Sequence, residues 1–521
     1  MIYLYLIVFV SGMTTLAVEL SASRLLGNVF GTSNIVWANV IGLMLLYLTV
    51  GYFLGGHWAD RSPYRVTLYR ILLWASFLCA AIPLTARPIL QTAAVAFGRF
   101  DAALTLGSFA AVLLLFSVPI TLLGMVSPFV IRLAVNDLKT AGTTSGQVYA
   151  ISTCGSIIGT FLPTLFLIPG IGTTATFLLF AGVLYVVAWF GLMAEGRFKA
   201  LPWLWMPCVI ALMAAFSPTS PLRAAQPGHR LLFERDSAYN YIQVQEDAQG
   251  FRYLYLNEGQ GIHSQWHPTQ IAFGRTWDYF LVGPYFNPNF TPAQVQSLLV
   301  IGLAAGTVPR QYQEVYGPLP MDGIEIDPLI IEVGAQFFGM NAEEMPSLNA
   351  IAQDGRYGLR DLSRRYTVIG IDAYRPPYIP WHLTTVEFFE EVQALLTNDG
   401  VVIVNVGRTN TDRRLVDAIA NTLLRVFPSV HAMDVPRSFN TILVATNQAT
   451  LATNLFDNLE ALPPDAHPIL RQTLQLGAAT LVPIGSSDVI FYDDRAPVEL
   501  LTDSLVLTFL LSDSSNLLGL R

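Results

Sequence analysis

The stretch "VIGLAAGTVPRQ", Val300 to Gln311, contains a short run of branched apolar residues, a turn bracketed by Gly302 and Gly306, and the start of a helical pattern. This order predicts a buried β-strand that passes through a tight glycine turn into an α-helix. In open α/β sheets, ligands bind at the carboxyl ends of the strands, and residues without side chains let the backbone approach the ligand. The turn is therefore predicted to hold a nucleoside-like cofactor at Gly302, Gly306 and the first helical amides.

Strand-like and helical runs alternate on both sides of this turn, from Gln296 onward. The predicted strands are SLLVIG, DGIEI, NAIAQ, YTVIGID and GVVIVNV, and the runs SVHAMD and NTILVAT, joined by VPRSF, form a predicted closing hairpin. Alternation of this kind predicts a mostly parallel sheet with helices on both faces. A parallel sheet that ends in an antiparallel hairpin is the arrangement of the Rossmann-like S-adenosylmethionine methyltransferase class.

The chain is predicted to have three parts. Residues 1–225 carry five acidic and eleven basic residues, a net charge of +6, whereas the remaining 32 acidic and 18 basic residues give −14. A Pro- and Ser-rich linker follows the first part, and residues 226–290 alternate polar with aromatic or β-branched residues, as in a small antiparallel sheet. Residues 291–521 form the α/β domain.

The first part is predicted to be a multi-pass membrane domain, because a span needs roughly 20 apolar residues and such runs recur along it. Seven runs occur, at about 2–23, 35–56, 66–86, 103–131, 147–168, 174–194 and 202–217. The loops richest in Lys and Arg alternate with the others, which predicts a cytoplasmic N-terminus in the cell membrane. With seven spans, the acidic part of the chain lies outside the cell. With six spans, it lies in the cytoplasm.

Glu19 lies within the first apolar run, five residues before Arg24. An ionisable group at membrane depth is costly, so Glu19 is a candidate functional residue of the membrane domain. The alternative is that Glu19 pairs with Arg24 or with another helix and only fixes the packing.

Acidic residues follow the next predicted strands of the α/β domain. Glu325 closes the second strand, 23 residues after Gly302, where it can accept hydrogen bonds from ribose hydroxyls. Asp354, followed by Gly355, ends the third strand near the expected adenine, and Asp372 ends the fourth, facing the reaction centre. The alternative for Asp354 and Asp372 is that they cap helices.

Several classes of function are disfavoured by composition. Both lysines of the chain, Lys139 and Lys199, lie in the first part, so the second part has no lysine for a Schiff base or a phosphate-binding loop. An acidic domain without basic clusters argues against nucleic-acid binding. The three cysteines lie in apolar runs, and no spacing of His, Cys and carboxylate predicts a metal site.

These patterns resemble the spermidine synthase family of polyamine aminopropyltransferases, in particular its membrane-fused form. The resemblance lies in the segments SGMTTLAVELSASRLLGNVFGTS, VIGLAAGTVPR, DGIEIDPLIIEVGAQFF, VIGIDAYRPPYIPWHLTTVEFFEEV and DDRAPVELLTD. It implies a small β domain over the α/β domain, with decarboxylated S-adenosylmethionine and a diamine in the cleft and no metal. It further implies that Glu325 binds the ribose and that Asp372 is the base that takes the proton of the attacking amine.

Two positions depart from the family pattern. The glycine motif, GGGDGG in form in the family, is GLAAGT here, with Ala305 at the aspartate position, and the family's DSSDP is DAYRP, with Arg375 at the second aspartate. An arginine where a dication binds replaces attraction by repulsion, which is worth about 4 kcal/mol for a charge pair 4 Å apart at an effective dielectric of about 20. Putrescine is therefore disfavoured, and a neutral or anionic acceptor, or none, is favoured.

Three functions stay open from the sequence. The first is a membrane-bound aminopropyltransferase with an atypical acceptor site, and the second is an S-adenosylmethionine-dependent methyltransferase. The third is a non-catalytic membrane transport or scaffold protein with a degenerate synthase domain. The expected partners are the lipid bilayer and a small amine or other small acceptor, and a homo-oligomer is left open.

Overall fold

The computed structural model describes residues 1–30, 34–97, 103–135, 137–216, 225–257, 261–374 and 379–505 of the 521 residues. The chain divides into two compact units, Met1–Ala224 and Ala225–Arg521. Arg375 and the last residues of the chain lie outside the described residues.

The first unit is helical throughout its described residues. Its helices are α1 Ile2–Phe30, α2 Asn34–Arg61, α3 Arg65–Phe97, α4 Ala103–Gly124, α5 Val126–Ala134, α6 Ala141–Leu162, α7 Ile168–Ala194, α8 Arg197–Ala200 and α9 Trp205–Phe216. A π-helical turn, Pro163–Leu167, joins α6 to α7, and Gly172 interrupts α7 with φ 82°. Six described stretches are long and apolar enough to cross a membrane.

The longest of these stretches, Ala141–Ala194, comprises α6, the π-helical turn and α7. The Tyr5 hydroxyl on α1 donates to Gln147 Oε1 near the start of α6, at 2.7 Å. The hydroxyl of Tyr3, two residues earlier on α1, donates to the carbonyl of Val187 near the end of α7. Since α6 begins and α7 ends at the same end of the unit, the chain reverses between them.

Glycines bring α1 and α6 into direct backbone contact. A Cβ added to Gly155 would lie 2.0 Å from the Phe9 carbonyl oxygen, and one added to Gly159 would lie 2.1 Å from the Met13 carbonyl oxygen. No side chain fits in such a space, so the four-residue glycine spacing in α6 exists to let the helices approach.

We expect Gly155→Ala to destabilise the helical unit, because the added methyl group would force α1 and α6 apart. Overpacking of this kind costs about 2 kcal/mol and lowers the Tm by several degrees. Gly182→Ala in α7 is the matched control, because nothing lies within 4 Å of a Cβ at that position, and helix propensity alone favours alanine by about 1 kcal/mol. Thermal unfolding of the purified full chain in detergent measures both variants, and equal Tm values would contradict the close helix contact.

The second unit begins with a four-stranded antiparallel sheet in the order β1-β2-β3-β4. Its strands are β1 Arg230–Asp236, β2 Tyr241–Glu246, β3 Arg252–Leu256 and β4 Ile262–Trp266. Apolar side chains of β2 and β3 pack in one cluster with Ala305, Ile330 and Val333. The small sheet therefore lies against the glycine turn and the helix that follows the second strand of the larger sheet.

The larger sheet has eight strands in the order β12-β10-β11-β9-β8-β5-β6-β7. Its strands are β5 Leu298–Ile301, β6 Met321–Glu325, β7 Leu348–Ala352, β8 Tyr366–Ile371, β9 Leu396–Gly407, β10 Ser429–Asp434, β11 Asn440–Thr446 and β12 Leu481–Val482. Neighbours from β7 to β9 are parallel, and β10, β11 and β12 pair antiparallel. The predicted parallel sheet with a closing hairpin is confirmed, and β12 adds a short edge strand.

Helices connect the strands of this sheet and cover its faces. They are α10 Thr307–Tyr316, α11 Pro328–Phe337, α12 Val386–Ala394, α13 Arg414–Leu423, α14 Thr453–Glu460 and α15 Pro468–Ala479. Every residue of β5, β6 and β8 is buried, as expected for strands that are covered on both faces. Their carboxyl ends therefore open onto one edge, where the loops between strands and helices can bind a ligand.

Candidate active site

Four residues predicted from the sequence lie at the carboxyl ends of neighbouring strands. Gly302 follows β5, Glu325 ends β6, Asp354 lies after β7, and Asp372 follows β8. The sheet order β7-β6-β5-β8 sets these four ends side by side. Adjacent strands are about 4.8 Å apart, so the four ends span about 14 Å.

The glycine turn is held against the loop that carries Asp372. Gly302 has φ 87°, and a Cβ added to it would lie 2.6 Å from the backbone carbon of Asp372. Gly306 also has a positive φ, 81°, and begins α10. Between them Ala304 takes φ 47°, which is an uncommon conformation for a residue with a side chain. Both glycines are therefore required by the backbone.

Glu325 is a buried carboxylate that faces this turn. Its Oε2 accepts a hydrogen bond from the Ala304 N–H at 2.9 Å, and its Oε1 accepts one from the Asp327 N–H at 3.1 Å. Burial raises the pKa of Glu325 to about 7, partly opposed by these two N–H donors. Each carboxylate oxygen can accept more than one hydrogen bond, so Glu325 retains the capacity to accept from a pair of ligand hydroxyls.

Asp327, two residues further on, anchors the small sheet to the site. Its Oδ2 accepts from the Asn240 amide at 2.9 Å and from the Ser237 hydroxyl, both in the turn between β1 and β2. Its Oδ1 accepts from the Leu329 N–H at 3.1 Å and so caps α11. Asp327 is not among the residues predicted from the sequence, although an aspartate before a proline at a predicted helix start is a capping signal.

Asp372 is half-buried at the end of β8, and an amide from the next strand orients it. The Asn405 Nδ2 on β9 donates to Asp372 Oδ1 at 2.8 Å. Burial raises the pKa of Asp372 to about 6, and donors on Asn405 and Trp277 partly oppose that rise. A carboxyl group with this pKa is mostly ionised at neutral pH and can still accept a proton during a reaction.

Two aromatic residues complete the surroundings of Asp372. Trp277 precedes β5 in the chain, and Tyr374 lies two residues after Asp372. The Tyr374 hydroxyl occupies the space that a Cβ on Gly407 would need, which explains the glycine at the end of β9. Burial raises the pKa of Tyr374, as does the charge of Asp372. Sequence reasoning missed Asn405, Trp277 and Tyr374, although an asparagine within the apolar run GVVIVNV was a visible signal.

Asp354, predicted from the sequence to lie near the adenine, accepts hydrogen bonds from the turn that follows it. Its Oδ1 accepts from the N–H groups of Arg356 and Tyr357 at 3.0 and 3.1 Å, and its Oδ2 lies 2.9 Å from His382 Nε2. Burial would raise the pKa of Asp354, but the Tyr357 N–H and His382 outweigh it, and the pKa is lowered. A Cβ on Gly355 would lie 2.7 Å from Ile301 Cγ2, so this glycine allows close packing under β5.

Two positions that are aspartate in the family pattern are not acidic in this chain. Ala305, at the position of the glycine-motif aspartate, is buried in the apolar cluster with Val333, and its N–H donates to Ser264 Oγ at 2.9 Å. Arg375, at the second position, lies outside the described residues. Of the two aspartates in the family's DSSDP pattern, Asp372 is therefore the one present among the described residues.

Glu19 and Arg24 belong to α1 of the other unit. Glu19 is half-buried in the helical unit. Within the described ranges, no group of three or more His, Cys, Asp and Glu side chains could hold a metal ion.

Comparisons with known proteins identify the C-terminal part. The spermine/spermidine synthase domain model matches residues 288–454. A polyamine aminopropyltransferase of Vibrio vulnificus is 30% identical over 244 residues, which cover 44% of this chain and 76% of that protein. A probable polyamine aminopropyl transferase of Bifidobacterium longum is 28% identical over 313 residues, which cover 56% of this chain and 68% of that protein.

Among solved structures, a probable spermidine synthase from Corynebacterium glutamicum matches with a TM-score of 0.39 and 17% identity, over 50% of this chain and 99% of that one. The relative from Vibrio vulnificus is matched over most of its own length. The chain therefore belongs, through its C-terminal part, to the spermidine synthase family of polyamine aminopropyltransferases.

Proposed function

We propose that this chain transfers the aminopropyl group of decarboxylated S-adenosylmethionine to a small amine. The observation that carries the proposal is the position of two carboxylates, Glu325 and Asp372, at strand ends on either side of the glycine turn. One carboxylate can accept hydrogen bonds from ribose hydroxyls, and the other, with a raised pKa, can take a proton. Gly302, which lies between them, lets the turn pack directly against the backbone of Asp372.

The reaction is a single displacement. The lone pair of the acceptor nitrogen attacks the propyl carbon bonded to the sulfonium sulfur, so a carbon–nitrogen bond forms and the carbon–sulfur bond breaks. The electron pair of the broken bond passes to sulfur, which leaves as neutral methylthioadenosine. Asp372 takes the proton that the acceptor nitrogen releases, while Asn405 keeps the carboxylate pointed at it. The site mainly contributes alignment of the two substrates and one base.

The acceptor pocket differs from one built for a diamine. Ala305 contributes no charge, and the chain has Arg375 where the family has its second aspartate. Asp372 then has a single amino group to hold, and Tyr374, two residues further on, offers aromatic surface to a cation and its alkyl chain. We infer an acceptor whose only amino group is the one that reacts.

Binding of the donor tests this proposal on the purified full chain in detergent. We expect decarboxylated S-adenosylmethionine and methylthioadenosine to bind with micromolar affinity by calorimetric titration at about pH 8, where Glu325 is ionised. Glu325→Gln should weaken binding at least tenfold, because charge-assisted hydrogen bonds to the ribose are lost. Glu332→Gln is the matched control, since Glu332 is exposed on the neighbouring helix α11.

The same titration separates the alternatives. A preference for S-adenosylmethionine, with a methylated product in mass spectrometry, would favour a methyltransferase. No binding of any of the three nucleosides by the folded chain would contradict both enzymatic functions and favour a non-catalytic membrane protein.

The pH dependence of transfer should report Asp372. Because the base acts in its ionised form and its pKa is about 6, kcat at saturating donor should fall as the pH drops through about 6. Asn405→Ala removes a donor that favours the ionised carboxylate, so the pKa of Asp372 rises and the acidic limb moves to higher pH. Asp372→Asn should lower kcat at least a hundredfold. If the acidic limb of the pH profile stays at the same pH in Asn405→Ala, Asp372 is not the titrating base.

We further propose that the helical unit crosses the lipid bilayer of the cell membrane seven times, with the N-terminus in the cytoplasm. Its loops near Arg61, Arg132 and Lys139 carry the positive charge expected of the cytoplasmic side. An odd number of passes puts the synthase domain on the opposite side from the N-terminus.

Cysteine labelling of intact cells tests this topology. In a chain with Cys154→Ser and Cys208→Ser, we expect Gln249→Cys, in the exposed turn between β2 and β3, to react with a membrane-impermeant maleimide. Lys139→Cys, in the exposed segment before α6, should react only after the cells are permeabilised. The reverse pattern would place the synthase domain in the cytoplasm.

A further inference from the structure

A cavity of about 500 Å³ lies under the turn between β10 and β11. Its polar lining consists of Arg408, Asn410, Asp434, Arg437, Ser438 and Thr480. All of these side chains except Asp434 can donate hydrogen bonds. The lining is therefore suited to a group that accepts hydrogen bonds.

The one carboxylate in this lining is already neutralised by its neighbours. Arg413 Nη1 donates to both oxygens of Asp434, at 2.8 and 2.7 Å, and the Thr441 hydroxyl donates to Oδ1 at 2.6 Å. Arg408 Nε lies 3.3 Å from the same oxygen. Two guanidinium groups thus share one carboxylate, and the exposed Arg437 adds a further positive charge at the turn. The cavity carries a net positive charge.

Arg408 has donors that no group among the described residues accepts. Its side chain is 11% exposed, its Nη1 donates to the Thr409 carbonyl at 3.2 Å, and its Nε has no hydrogen-bond partner with acceptable geometry. Among the described residues, nothing accepts a hydrogen bond from Nη2. A largely buried guanidinium with unused donors at a cavity wall is arranged for an anionic ligand.

Hydrogen bonds connect this cavity to Asp372. Asn405, which orients Asp372, accepts at Oδ1 from Asn440 Nδ2 at 2.9 Å, and Asn440 Oδ1 accepts from the Ser438 hydroxyl at 2.6 Å. Ser438 lines the cavity. The strands involved are consecutive neighbours, β8, β9, β11 and β10, so about 14 Å separates Asp372 from the cavity.

We propose that the acceptor is an amine with an anionic group, a carboxylate or a phosphate, at its other end, and that this cavity binds the anionic group through Arg408 and Arg437. This inference rests on the proposed transfer reaction and specifies its acceptor. Asp372 holds the reacting amino group, and the arginines hold the far end. A diamine of the same length would bring its second ammonium group to the arginines and be repelled.

Acceptor binding to the full chain saturated with methylthioadenosine tests the proposal. The probes are three chain-length series with one amino group in common, namely ω-aminocarboxylates, ω-aminoalkyl phosphates and α,ω-diamines, with n-alkylamines as the uncharged reference. We expect one of the anionic series to bind at least tenfold more tightly than the diamine and the alkylamine of equal length, and the better of the two identifies the oxyanion.

Arginine variants then assign the binding to the cavity. Arg437→Gln, at the exposed turn, and Arg408→Gln should each weaken binding of the anionic acceptor about tenfold and leave alkylamine binding within about twofold. Arg425→Gln is the matched control, because Arg425 is exposed at the end of α13, outside the cavity lining. Since Arg408 is partly buried, Arg437→Gln provides the test even if the other variant folds poorly.

The outcomes separate this inference from the proposed reaction. Binding of an anionic acceptor that Arg437→Gln weakens supports the cavity as its site, even if no aminopropyl transfer is detected and the reaction itself fails. Equal or tighter binding of the diamine, or anionic-acceptor binding unchanged in both arginine variants, overturns the inference while leaving donor binding and transfer intact.

Discussion

The end of β6 holds two buried carboxylates, Glu325 and Asp327, on which the geometry of the site depends. Burial of two like charges so close together is unfavourable, and the charge of Asp327 contributes to the raised pKa of Glu325. The chain offsets this cost with donors from three directions: the glycine turn at Ala304, the first turn of α11, and the small sheet at Asn240. One strand end therefore fixes the glycine turn, a helix and a neighbouring sheet in relation to one another.

The sequence predicts the fold, and with it the glycine turn and the carboxylate at the next strand end, because those features are local. A buried strand, a glycine turn and a carboxylate at the next strand end follow one another in the chain, and parallel pairing brings the strand ends to one edge. The glycines at 302 and 306 could be assigned because their positive φ values belong to the turn itself. The same local logic made helix capping the alternative for Asp354, whose Oδ1 accepts from the Arg356 N–H in the turn after β7.

The surroundings of Asp372 and of Asp434 could not be predicted because their contacts join residues far apart in the chain. Asn405 meets Asp372 only because β9 pairs with β8, and Arg413 meets Asp434 only because the closing hairpin folds back over α13. The short strand β12 is a comparable case, since two residues carry too little pattern to indicate a strand. Ala305 is a mixed case. The alanine in place of the family's aspartate is visible in the sequence, but the apolar cluster that surrounds it is not.

The charge of the whole domain favours an acceptor that is itself a zwitterion. Residues 226–521 carry a net charge of −14, so their long-range field repels a free anion and attracts cations of every kind. The positive charge at Arg408 and Arg437 is local, and at physiological salt it acts over about 8 Å. A molecule with an ammonium group and one carboxylate has no net charge to be repelled at a distance. Once bound it can present each end to the group that complements it, whereas a diamine gains from the field but is opposed at the cavity.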